Sequence, residues 1–176
     1  MELVQYELYR DRMQTGDALL FAGRGVVSRI IQWRTHSPYT HVAMIVRWKF
    51  HQTERVFLCH ATAQFGVHPV PASRYLAQHQ GEAWWVPLDH DAAAKRMPEY
   101  RPKLLDASSL DFGRFYDTRG IGQFLVPRLF RQQQDRRFCS EAYASWLNAI
   151  GLSQETFVSP GSFIAQPIFT EKMWLG

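Results

Sequence analysis

Cysteine is scarce in this chain: Cys59 and Cys139 are the only two among 176 residues. Two cysteines cannot build a disulfide framework, and these form no CxxC pair that would read as a redox or zinc motif. Long apolar runs are missing too, since none approaches the ~18 residues a membrane span needs. The amino terminus, MELVQYELYRDRMQTGD, lacks the basic start and apolar core of a secretory signal. These absences lead to the expectation of a reducing, cytoplasmic-type location, with a phage-encoded or non-classically delivered protein left open. There is no internal repeat and no low-complexity tract. Nor is charge strongly one-sided, because 20 Lys and Arg stand against 16 Asp and Glu. The one basic concentration, RLFRQQQDRR at 128–137, carries no RNA-binding, zinc-finger or helix-turn-helix signature. No nucleic-acid partner is expected from it. It reads as a solvated loop, compatible with peripheral contact at a membrane surface.

What remains is a chain long enough for one domain with a real core. Its first 90 residues read mainly as strands. ALLFAG follows Gly16-Asp17 as a short apolar run. GVVSRIIQWR then places apolar residues at 26, 27, 30 and 31, the spacing of a helix face. Ser37-Pro38 ends that helix, because the residue before proline is pushed out of helical geometry. THVAMIVRW and RVFLCHAT are β-branched and apolar, joined by the polar stretch KFHQTE, which predicts an antiparallel hairpin. GVHPVPASRYL and EAWWVPL supply further extended segments, and prolines at 69, 71 and 87 mark edges or turns. Residues 91–103 read as a short helix and a connection. FCSEAYASWLNAIGL is the clearest helix: Cys139, Ala142, Tyr143, Trp146, Leu147 and Ile150 fall on one stripe. Gly151 sits where a left-handed residue would end it. The predicted fold class is α+β, an antiparallel sheet or barrel packed against a late helix.

Chemistry-bearing residues are then few. Cys139 opens the strong helix, whose positive end and free N–H groups favour a thiolate and could stabilise an oxyanion. The competing reading is a small buried hydrophobe on the packed stripe. A nucleophilic thiol needs an imidazole partner, and seven histidines compete. His41 begins one strand of the hairpin and His60 lies near the end of the other. Set directly opposite each other, with the turn between Phe50 and His51, their Cβ atoms would lie roughly 4.5–5.5 Å apart on one face. His60 could then orient His41, the part an Asp or Asn plays in other triads. Cys59 should point to the opposite face. His36 and His51 fall in loops, and His68, His79 and His90 in irregular or polar segments. Glu54 and Glu141 are weaker orienters, one in the turn and one facing solvent. A zinc site of His41, His60 and Cys139 lacks short ligand spacings, so neither metal nor cofactor is expected.

Taken together, these segments resemble the permuted NlpC-type papain-like amidases, the YiiX-like group. The family's Ser-x-Tyr-x-His-Val segment is matched by Ser37-Pro38-Tyr39-Thr40-His41-Val42. Its polar third residue and following Gly-Val turn are matched by His60 and Gly66-Val67. Its Cys-Ser-Glu helix opening is matched by Cys139-Ser140-Glu141, and its Ser-Pro tail by SPGSFIAQPIF. The likeness spans 16–169 and implies a single permuted papain-like domain over 1–176, with strands first and the cysteine helix late. It implies catalytic Cys139, His41 and His60, acting through a thioester on an amide or ester. A peptide or cell-wall-peptide amidase is the first expectation. A lipid acyl hydrolase or acyltransferase of the same fold is the second, since a His-His-Cys set is also similar to the lecithin:retinol acyltransferase relatives. The chain departs from those in reading Cys-Ser-Glu rather than Asn-Cys-Glu-His. A non-catalytic module retaining the fold is the third. Tyr39 and Tyr116 are expected to line the substrate site.

Overall fold

The computed structural model of the protein describes residues 3–114, 139–154 and 159–176. Among them, six strands form one antiparallel open sheet in the order β4-β3-β2-β1-β5-β6. The strands are β1 (Ala18–Gly23), β2 (His41–Phe50), β3 (Thr53–Thr62), β4 (Gly66–Pro71), β5 (Gly81–Val86) and β6 (Met173–Trp174). The helices are α1 (Val4–Tyr9), α2 (Val26–Thr35), α3 (Ala72–Gln78), α4 (His90–Arg96), α5 (Tyr100–Ser109), α6 (Cys139–Ala149) and α7 (Pro160–Phe163). The α+β reading holds, as a sheet with two edges rather than a closed barrel.

Strand alternation divides the core between the two sheet faces. Leu20, Val42, Met44, Cys59 and Ala61 join Tyr143, Trp146 and Leu147 of α6 on one side. Leu19, Phe21, Ala43, Ile45 and Leu58 join Ala72 and Leu76 of α3, with Tyr6 of α1, on the other. β1 is apolar without alternation because both of its faces are covered. Gly151 adopts φ +74° just past α6, the left-handed residue that ends the helix.

Three sequence expectations change. The polar stretch KFHQTE is mostly strand, and the β2–β3 turn is only His51 and Gln52, with Phe50 opposite Thr53. Its polar side chains are tolerated because they lie at the exposed end of the hairpin. The extended reading of GVHPVPASRYL stops at Pro71, where α3 begins with Ala72. Residues 91–103 hold two helices, α4 and the start of α5, broken at Pro98.

One buried carboxylate ties the layers together. Asp17 is fully buried. Its Oδ2 accepts from the Gln14 N–H at 2.8 Å and the Trp85 indole N–H at 2.9 Å. Its Oδ1 accepts from the Leu88 N–H at 3.0 Å and from His90 Nε2 at 2.8 Å. The neighbouring Gly16 carbonyl accepts the Tyr143 hydroxyl of α6. Trp146 of the same helix donates to Asp111 at 2.8 Å. The Gly-Asp pair before β1 thus helps to fix the seat of the cysteine helix.

Candidate active site

The site lies where β2 begins and β3 ends. The β2–β3 ladder stops at Met44 opposite Cys59, although the strands run on to His41 and Thr62. Beyond it, β2 stays paired with β1, His41 facing Phe21, and β3 with β4, His60 facing His68. The two strands part here. The Ile45 N–H bonds to Asp17 on the β1 side. Backbone N–H groups alternate along a strand, so that of Val42 turns toward β3, where the ladder has ended. It is taken up by Cys139 Sγ, which also lies close to the N–H groups of Ser140 and of Cys139 itself. The amino end of α6 therefore meets the opening between β2 and β3, with its thiol beside the residue that follows His41.

The hairpin register differs from the sequence expectation by two positions. His41 and His60 are diagonal rather than directly opposite. A shift of two keeps each side chain on its face, whereas a shift of one would have separated them. The rings accordingly meet: His41 Nε2 lies 2.8 Å from His60 Nδ1, with ring centroids 5.0 Å apart. Cys59 points to the opposite face, into the core under α6.

Aromatic groups enclose the pair. Phe21 lies 5.7 Å from the His41 ring and Tyr75 of α3 6.3 Å, between centroids. Tyr75 stands 4.9 Å from His60, and His68 4.7 Å from it on the far side. His79 packs on Phe21 at 5.0 Å. Burial opposes charge throughout this cluster. His60 is fully buried, and burial with the neighbouring His41 and His68 holds its pKa well below the usual histidine range. His41 keeps some exposure, yet burial with His79 and His68 beside it lowers its pKa to about 3. Burial raises Tyr75 to about 12, with nearby Cys139 adding to the shift.

Cys139 corrects a sequence expectation. The helix position predicts a stabilised thiolate, but burial pushes the thiol up to about 11 despite the three N–H groups around the sulfur. The N-terminal field is worth at most ~2 kcal/mol, and here desolvation outweighs it. The resting group is a neutral thiol, and His41 and His60 are neutral imidazoles.

Tyr39 sits in the core rather than on an open surface. It is 6% exposed, its ring meets Trp84 at 5.1 Å, and Lys172 donates to its hydroxyl. Tyr116 lies outside the described residues, as does the basic stretch 128–137. Glu54 is engaged by Arg47 at 2.8 Å, far along the hairpin. Glu141 is buried rather than solvent-facing. Tyr75, His68 and His79 were not singled out by sequence reasoning. Gly66-Val67 held the signal for His68, because the short 63–65 turn that Gly66 closes sets it across from His60.

No family model matches the chain, and no curated protein does. Among solved structures, it is similar to the metalloprotein YiiX of Escherichia coli O157:H7, with a TM-score of 0.66 and 22% identity. The likeness covers 89% of this chain and 94% of that one, and at this identity it shows a shared fold. Among the described residues no group of three or more His, Cys, Asp or Glu could hold a metal ion. The facing nitrogens of His41 and His60 are spent on each other.

Proposed function

We propose that the protein is a cysteine-dependent hydrolase or acyl-transfer enzyme with a permuted papain-like core. In this reading Cys139 is the nucleophile, His41 the base and His60 the group that orients it. The carrying observation is the 2.8 Å contact between His41 Nε2 and His60 Nδ1, beside a thiol held by the Val42 N–H. The contact engages Nε2 of His41 and leaves Nδ1 as the nitrogen for the thiol proton. A thiol with a pKa near 11 is not ionised beforehand, so deprotonation accompanies attack, as general base catalysis.

The sulfur forms a bond to the carbonyl carbon of an amide or ester as its proton passes to His41. The N–H groups of Ser140 and Val42 are the candidate donors to developing negative charge. Collapse expels the amine or alcohol, which takes the proton from His41 and leaves a thioester. Water, or another acceptor, then gives up a proton to His41 and attacks the thioester, regenerating the thiol. The imidazolium formed in each half is costly in a site that lowers the His41 pKa, so it exists only while the thiolate or oxyanion beside it carries the opposite charge.

The favoured substrate class is a peptide amide, including cell-wall peptides. The test is a panel of peptide amides and acyl lipids assayed with the wild type, Cys139→Ala and His41→Ala. Turnover of one class, abolished in both variants, is expected. Turnover that persists in Cys139→Ala would refute the nucleophile, and activity confined to acyl lipids would move the substrate class. No turnover, with Cys139 unreactive toward acylating probes, would leave a binding module on this fold.

A further inference from the structure

His60 poses a specific question. Its Nδ1 meets His41, but its Nε2 is buried and finds no hydrogen-bond partner among the described residues. Thr62 Oγ1, on the same face one alternation further along β3, is likewise buried and unpartnered. An orphaned buried donor costs ~1–3 kcal/mol, so such a group calls for an explanation.

The tautomers supply one. For His41 to accept the Cys139 proton at Nδ1, its Nε2 must carry the hydrogen and donate to His60. His60 Nδ1 must then be the bare acceptor, which puts the hydrogen of neutral His60 on Nε2. The productive state therefore makes the buried orphan a donor, which needs an acceptor nearby. His68 is the cross-strand partner of His60, with its ring 4.7 Å away. His68 Nδ1 lies 3.0 Å from the Gly66 carbonyl oxygen, which can only accept. That bond puts the His68 hydrogen on Nδ1 and leaves its Nε2 bare. Gly66, at φ +66°, closes the 63–65 turn that brings this carbonyl into place.

We propose that His68 is a positioning residue. Its bare Nε2 takes the His60 Nε2 hydrogen through one water shared with Thr62, and so fixes the direction of a three-imidazole chain. Every hydrogen then points one way, from His41 to His60 to His68 to the Gly66 carbonyl, and Nδ1 of His41 is left open toward the thiol. The chain contains no carboxylate. It orients by tautomer alone, which suits a pocket where burial keeps His41 and His60 neutral.

The inference rests on the proposed cysteine chemistry for its purpose, but its first test does not need turnover. Long-range ¹H–¹⁵N NMR of the histidine-labelled protein reports which nitrogen of each ring carries hydrogen. Expected in the wild type is Nε2–H for His41 and His60 and Nδ1–H for His68. In His68→Phe, a detectable share of His60 and His41 should move to Nδ1–H, and the reaction of Cys139 with an acylating probe should slow by about 10- to 100-fold, short of the ~10⁴ lost when a triad imidazole takes the wrong tautomer. His68→Gln, which offers an acceptor oxygen, should retain the wild-type tautomers and much of the rate. Nδ1–H at His60 in the wild type overturns the proposal, even if His68→Phe does not fold. So do unchanged tautomers in a folded His68→Phe protein, or a stoichiometric metal ion bound through His60 and His68. Intact tautomers with an inert Cys139 would refute the cysteine chemistry and leave the chain standing.

Discussion

Acid should unfold this protein through its buried imidazoles before its carboxylates are protonated. His41 has a folded pKa near 3, against 6.5 for an ordinary histidine, and His60 is depressed in the same direction. Below pH 6.5 the unfolded chain binds protons at these positions that the native state does not. Stability therefore rises with pH across this window and is lost as pH falls from 6.5 toward 3. Each pH unit in which one such group is protonated only in the unfolded chain costs about 1.4 kcal/mol. From pH 7.5 to 5 that amounts to about 2 kcal/mol for one fully depressed histidine and about 4 kcal/mol for two, of a typical ~5–15 kcal/mol in all. The partial exposure of His41 and the coupling between the rings bring the expected total to about 2–3 kcal/mol. Urea unfolding followed by tryptophan fluorescence reads this directly. With a slope of about 2 kcal/mol/M, the midpoint should fall by about 1–1.5 M over that range. In His41→Gln and His60→Gln, which cannot titrate there, the fall should be smaller by up to about 1 M each. Wild-type and variant midpoints that move in parallel with pH would refute the assignment of the acid sensitivity to these two rings.

Two more outcomes follow from buried groups other than His41 and His60. Asp17→Asn should cost about 3–5 kcal/mol, because one carboxylate serves four donors and the amide turns an N–H₂ against two of them. Thermal unfolding should show a midpoint about 10 °C lower, and a change under about 2 °C would show that the network is dispensable. On the alkaline side, burial raises Cys59 to about 12 and Cys139 to about 11, so the unfolded chain ionises first and stability falls above pH 9. Between pH 8 and 10 each thiol should cost about 1 kcal/mol, and Cys59→Ala should flatten its share of the loss, unless that thiol ionises normally in the native state.

The sequence alone carried the chain-local information. Periodicity marked α6 and the β2–β3 hairpin, Gly151 marked the end of α6, and alternation assigned His41 and His60 to one face and Cys59 to the other. These are legible because spacings of 3.6 and 2 residues are fixed by backbone geometry and need no knowledge of neighbours. Residue types along the chain also singled out Cys139, His41 and His60 before any distance was known. Tertiary structure decided what depends on how separate segments meet. The register moved by two positions, because the length of a turn is set by the strands it joins and not by its own polarity. The third strand, β4, brought His68 against His60, and α3 brought Tyr75 over both rings, contacts that no local pattern encodes. Burial, which only the assembled core imposes, reversed the expected acidity of Cys139. A helix dipole can be read from a sequence, but the desolvation that outweighs it belongs to all the layers packed around the sulfur.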